Sequence, residues 1–300
     1  MPPKRPPPLP RSLFVDNGPL SPGFAPAPSP STIHPDFITD AHTRGAVLAV
    51  PPTGPQLTGS VTVTTDGEAA AEPDTTPVQG KHKASLATVI AQDQAAPLNL
   101  APADAAAALD LVVPATTPLT GEQWDRLDEA VDEIDGGREK VESEVAALGD
   151  APRKIMVAGI LPPPLSKPSS ALLNADEYVL FQARSSQLSL HADVVLKALP
   201  PVVDTRSAGD NRWWEDAKSV ERAVKLYIAP AIESFGTSRI VFGSTPAVTV
   251  TKDTESHLVV PVQGAEWYAL LRKCIAEMGQ DAAAMTDIMG RNATEYYKLE

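Results

Sequence analysis

The 300-residue chain reads as an α/β fold on a parallel sheet, and three features of the sequence predict it. Compact apolar runs recur from Leu109 onward, each stopped by a proline or a small residue and followed by a helix-length amphipathic stretch. Runs that are apolar along their whole length suit strands covered on both faces, as in parallel sheets with crossover helices. The single cysteine, Cys274, leaves no disulfide framework, so a hydrophobic core must hold the fold, which suits a reducing compartment.

Fifteen of the 31 prolines fall in the first 55 positions, interleaved up to Pro35 with Ser, Ala and Gly. Such a stretch buries too little to offset its ordering entropy, so residues 1–80 are expected to be a Pro-rich, mostly disordered tail and linker. Within it, Lys4-Arg5-Pro6-Pro7-Pro8-Leu9-Pro10 has a basic residue ahead of prolines at PxxP spacing. That pattern suits an SH3-type partner at Pro6 to Pro10, set against a plain solvated tail. Two β-like runs follow, Ala46-Val-Leu-Ala-Val50 and Ser60-Val-Thr-Val-Thr-Thr65, and the polar stretch 66–83 reads as a linker. The folded domain is expected over 84–300.

Its first unit is Leu109-Asp-Leu-Val-Val113, closed by Pro114 and followed by a helix announced by Thr120 and Gln123 at capping-box spacing. The apolar face of that helix runs Trp124, Leu127, Val131 and Ile134, with a break at Gly136-Gly137 before Val141, Val145 and Leu148. The second unit is Ile155-Met-Val-Ala-Gly-Ile-Leu161, stopped by three prolines, with a helix over 171–190. The third is Val194-Val-Leu-Lys-Ala-Leu199, stopped by Pro200-Pro201, with a helix over 214–235 capped by Gly236. The fourth is Arg239-Ile-Val-Phe-Gly-Ser244, then a loop holding His257-Leu-Val-Val-Pro-Val262 and a helix over 265–278. Helices over 281–289 and 291–298 close the chain.

Parallel sheets place function beyond the C-terminal strand ends. Here those ends are Pro114-Ala115, Leu161-Pro162, Leu199 to Asp204 and Ser244-Thr245-Pro246, which are short of acids, histidines and cysteines. A net charge of −13, with no basic patch interleaved with aromatics, argues against nucleic acid. No apolar run approaches a bilayer span and the N-terminus lacks a signal-peptide core, so a soluble, cytoplasmic protein with no membrane partner is expected.

The run Ala192 to Lys197, then Trp213-Trp214, Tyr227 to Gly236, Arg239 to Ser244 with Pro246, and finally Met289-Gly-Arg-Asn-Ala293 with Tyr296-Tyr-Lys-Leu299, resembles the C-terminal half of amidohydrolase-related proteins across about 152–300. The resemblance implies a (β/α)8 barrel with a catalytic divalent metal, zinc or manganese, at its C-terminal mouth. It also implies metal-dependent hydrolysis or decarboxylation of a small-molecule substrate. Residues 84–300 offer four clear units, so the barrel is either reduced or has a first half too diverged to show in the apolar pattern.

The chain departs from that family where the chemistry lies. Thr245 stands where the family has an Asp that ligates metal and accepts a proton, and a neutral hydroxyl does neither. Asp40-Ala41-His42-Thr43-Arg44 is the nearest match to the family's His-x-His strand end, with arginine at the second histidine position and His42 as the one metal candidate. This segment reads either as a remnant metal-binding strand end or as a chance match in a Pro-flanked loop, the second weighing more. Lys197, alone and polar in an apolar strand, is a base or Schiff-base candidate; a structural salt bridge inside the barrel is the simpler account.

Asp204 and Asp253 are displaced acids or, more simply, solvated loop carboxylates. Cys274 shares a helical face with Leu270, Leu271 and Met278 and reads as core. Trp213-Trp214 is a stacking platform or, more simply, packing. Ser244 lacks a Gly-x-Ser-x-Gly elbow, and Asn292-Ala293-Thr294 is a sequon inside a helix. The expected protein is an amidohydrolase-like hydrolase, diverged or inactive. The alternative is a non-enzymatic scaffold with a Pro-rich partner-binding tail.

Overall fold

The computed structural model describes residues 29–44, 48–49, 54–65, 81–90, 108–145, 154–209, 211–250, 254 and 256–299. Its strands are β1 (Phe37–Thr43), β2 (Gln56–Thr65), β3 (Lys81–Val89), β4 (Leu109–Val112), β5 (Ile155–Leu161), β6 (Val194–Ala198), β7 (Val203–Asp204), β8 (Ile240–Phe242) and β9 (Leu258–Val259). Its α-helices are α1 (Gly121–Val145), α2 (Ser169–Leu172), α3 (Asp176–Leu188), α4 (Ala217–Phe235), α5 (Gly264–Glu277), α6 (Ala282–Thr286) and α7 (Asn292–Tyr296). The π turn Asp287–Arg291 joins the last two.

Seven strands pair in parallel in the order β1-β2-β3-β4-β5-β6-β8. Beyond β8, the Thr245 N–H donates to the His42 carbonyl at 3.2 Å, and the Ser244 N–H donates to the Asp40 carboxylate at 3.0 Å. The sheet therefore returns on itself as a nearly closed α/β barrel of seven strands among the described residues. β7 and β9 form a separate antiparallel ribbon.

Two buried layers follow from strand alternation. One face of the strands packs under the helices, with Leu111, Ile155, Val157, Leu196 and Phe242 against Trp124, Phe181, Tyr227 and Trp267. The other face fills the barrel with Ala41, Val61, Val63, Val112, Met156, Ala158, Val195 and Val241. Tyr297 and Leu299 join this inner cluster, and Lys83 Nζ donates to the Tyr297 carbonyl at 3.0 Å, so the C-terminal segment plugs the barrel from the side of Gly59.

The units from β4 onward lie where the periodicity predicts. The capping box is made: the Thr120 N–H donates to Gln123 Oε1 at 2.8 Å and the Gln123 N–H to Thr120 Oγ1 at 3.4 Å. α1 continues through Gly136 and Gly137 where a break was expected, and the 171–190 helix is divided into α2 and α3.

The first half of the barrel corrects the sequence reading. Asp40 to Thr43 belong to a buried strand, not a loop, and β1 and β2 put the start of the barrel well before residue 84. Lys81 to Lys83, expected as linker, begin β3. Of the strand expected at 46–50, Leu48 and Ala49 carry no strand and the other residues lie outside the described ones. These strands escaped the apolar-run criterion because their faces are mixed. Thr58, Lys81, His82 and Ala84 are exposed, while Thr39, Asp40 and His42 are buried polar groups that contact other parts of the barrel. The Pro6 to Pro10 motif also lies outside the described residues.

Candidate functional site

The C-terminal half of β1 carries Asp40 and His42, both fully buried. Asp40 Oδ1 accepts from the His42 N–H at 3.1 Å and from the Ser244 N–H at 3.0 Å, tying the β1 backbone to the end of β8. The β1–β2 register shifts between Asp40 and Thr43, so the strand kinks where its side chains turn inward. Burial pushes the Asp40 carboxyl up to about 6, against the opposing pull of the Ser244 and His42 hydrogen bonds and of Lys197. Burial, then the charges of Lys197 and Arg44, hold His42 well below its ordinary range, so its ring is neutral at pH 7.

Lys197 on β6 lies inside the barrel with no exposure. Its ammonium pairs with the Asp110 carboxylate of β4, donates to the Ala41 carbonyl at 2.7 Å and stands 3.5 Å from His42 Nδ1. It also lies 5.3 Å from the centre of the Tyr297 ring. Burial lowers its pKa, and the charge and hydrogen bond of Asp110 oppose that shift. Asp110 takes two further donors, Tyr297 Oη at 2.8 Å and Ser85 Oγ at 2.5 Å. The structural salt bridge expected for Lys197 is therefore present. Its partner Asp110 went unnoticed in the sequence, although an acid inside Leu109-Asp-Leu-Val-Val113 is the signal of a paired buried charge.

At the mouth, the Arg44 guanidinium donates to the Ala247 carbonyl at 2.9 Å and to Thr249 Oγ1. Arg44, Thr245, Val248, Thr249, Leu258 and Gln263 border a rim cavity of about 500 Å³ above β1 and β8. Over β4 to β6 the mouth is filled instead, with Pro162, Pro164, Pro200 and Pro201 leaving about 10 Å³. Close approach there needs two glycines. A Cβ on Gly243 would fall 2.7 Å from the His42 Cβ, and one on Gly159 (φ +96°) would fall 2.1 Å from the Val113 oxygen.

The remaining candidates do not converge on this cluster. Asp204 is not a solvated loop carboxylate: it is buried in β7 and clamped by Arg206, with Nη2 at 2.6 Å, which lowers its pKa. Trp213 and Trp214 pack edge to face with centroids 6.0 Å apart, both buried, so neither forms a ligand platform. Cys274 is core, and burial pushes its thiol up to about 12. Asn292 Nδ2 is spent on the Thr237 and Ile240 carbonyls at 2.7 and 2.9 Å, so the sequon is buried. His191 pairs with Asp135 at 3.1 Å ahead of β6, away from the mouth. Asp253 lies outside the described residues.

The metal that the family resemblance implies does not fit these residues. Zinc takes three or four protein donors. Asp40 Oδ2 is the one unpartnered buried lone-pair atom of this cluster among the described residues, because the neutral His42 ring turns Nδ1 to the Lys197 ammonium and so carries its proton on Nε2, and the Lys197 ammonium and Arg44 guanidinium stand on the same stretch of barrel. No cluster of three or more His, Cys, Asp or Glu suited to a metal ion occurs among the described residues. His42 thus stands in a buried strand rather than in the loop expected for it, without the company a ligand requires among the described residues.

No family model and no curated protein matches the chain. Among solved structures it is similar to an amidohydrolase from Burkholderia multivorans with bound zinc, at 16% identity over 81% of this chain and 84% of that one, TM-score 0.43. It is similar to amidohydrolase 2 from Bifidobacterium longum subsp. infantis at 13% identity, over 90% and 100% of the two chains, TM-score 0.36. A putative 2-pyrone-4,6-dicarboxylic acid hydrolase from Pseudomonas putida matches at 14% identity, over 88% and 97%, TM-score 0.38. No helix among the described residues is long and apolar enough to cross a membrane.

Proposed function

We propose that the chain is a diverged amidohydrolase-like barrel that does not perform the family's metal-assisted hydrolysis or decarboxylation. The observation carrying this reading is the substitution of the mouth. The ends of β1 and β8 are joined through Arg44 to Ala247 and through the Thr245 N–H to His42, in place of convergent lone-pair donors. A hydrolytic metal site must both hold its ion and leave a coordination position for water. Arg44 brings a cation and Thr245 a neutral hydroxyl to the strand ends where that chemistry would be run. Lys197, tied to Asp110, holds its proton against a carboxylate and is not poised as a nucleophile.

Elemental analysis of the full chain, purified without chelators, tests the reading. The expected result is no stoichiometric zinc, manganese or iron. Stoichiometric metal that disappears in His42→Ala would overturn it.

A further inference from the structure

The rim cavity of about 500 Å³ has aliphatic walls. Pro246, Val248 and Val250 border it from the segment after β8, and Leu258, Val259 and Val260 from β9 and its continuation. Val250 is 37% exposed and the other three valines are half-buried, so this apolar surface meets solvent. A cavity of this size lies in the range that holds small-molecule ligands. No aromatic ring borders it among the described residues, so its walls suit an alkyl chain rather than a stacked ring.

Arg44 is the charged group among the described residues that border the cavity. Its guanidinium donates to the Ala247 carbonyl at 2.9 Å and to Thr249 Oγ1, which holds it in place on the wall. The facing ribbon is held as well. The Thr205 N–H donates to the His257 carbonyl at 2.8 Å, and Arg206 clamps Asp204, so β7 fixes β9. A fixed guanidinium beside alkyl walls matches a carboxylate carried on an aliphatic chain.

Resting on the metal-free reading above, we infer that the rim cavity is a binding site for a short aliphatic monocarboxylate, its carboxylate at Arg44 and its chain against the valines. The ligand is held and not converted, because no acid, histidine, cysteine or lysine borders the cavity among the described residues.

The test is a ¹H–¹⁵N NMR titration of the full chain with hexanoate, hexan-1-ol and hexylamine, each run with and without EDTA. Hexanoate is expected to saturate one site with a Kd of about 1 mM or tighter and to shift the amides of Val250, Val259 and Gln263. Hexan-1-ol is expected to bind about tenfold more weakly, and hexylamine more weakly still. Arg44→Gln is expected to bring hexanoate down to the level of hexan-1-ol and to leave hexan-1-ol unchanged. Val250→Asp is expected to weaken hexanoate about tenfold or more, while Leu190→Asp, at an 82% exposed residue beyond α3, leaves it unchanged.

No saturable hexanoate shift, equal binding of acid and alcohol, unchanged affinity in Val250→Asp, or an equal loss in Leu190→Asp overturns this inference alone. Hexanoate binding that EDTA abolishes overturns the metal-free reading instead. If Arg44→Gln fails to fold by circular dichroism, the acid-to-alcohol ratio of the wild type and the Val250→Asp comparison decide the matter.

Discussion

Replacing Lys197 with methionine deletes one charge from the barrel and leaves a stem of nearly equal length, so the stability lost reports the ion pair rather than a cavity. Both partners are fully buried, and solvent does not screen what remains. Removing one member of such a pair costs about 3–5 kcal/mol because the other charge stays buried and uncompensated. Here Asp110 keeps hydrogen bonds from Tyr297 and Ser85, which places the cost near the lower bound, about 3 kcal/mol. For a domain of this size that is a melting-temperature drop of about 6–12 °C.

The double variant Lys197→Met/Asp110→Asn removes both charges while the asparagine oxygen still accepts from Tyr297. It is expected to recover about 2 kcal/mol of the loss, a coupling of the size contacting groups show. Urea titration followed by tryptophan fluorescence reads both values, since Trp124, Trp213, Trp214 and Trp267 are all buried. A double variant as unstable as the sum of its single variants would refute the coupling and, with it, the account of Lys197 as a compensated internal cation.

Asp40 sets a pH dependence with the opposite sign to the usual carboxylate. Its folded pKa, about 6, lies above the unfolded value of 3.8, so its favourable contribution is complete below about pH 4 and is lost as pH rises through 6. The ionised form then costs about 3 kcal/mol at neutral pH, and Asp40→Asn is expected to flatten the stability profile between pH 4 and 6. Chemical denaturation across that range checks it, and an unchanged slope counts against it. Gly243→Ala, whose added methyl would fall 2.5 Å from Leu199 Cδ2, is expected to destabilise by about 1–3 kcal/mol in thermal unfolding. Tyr297→Phe removes one hydrogen bond to a buried carboxylate and is expected to cost about 1.5–3 kcal/mol by the same measurement.

The α/β class and the units from Leu109 onward were legible in the sequence because those strands are buried on both faces, and burial on both sides leaves an unbroken apolar run. Caps and stops were legible for the same local reason: Thr120 and Gln123 face each other across one turn wherever the helix packs. The absence of a second histidine or a strand-end acid at Arg44 and Thr245 was also written there, and with it the doubt about metal chemistry. What only the tertiary structure decided is the first half of the barrel and the identity of its polar centre. β1 carries Thr39, Asp40 and His42 into a buried position, and their partners are Thr294, Ser244 and Lys197, more than 150 residues away. Asp110 and Lys197 sit in separate apolar runs, and nothing local to either says that they face each other. Buried polar groups are made tolerable by partners distant in sequence, so a residue pattern read along the chain shows the charge without showing what compensates it.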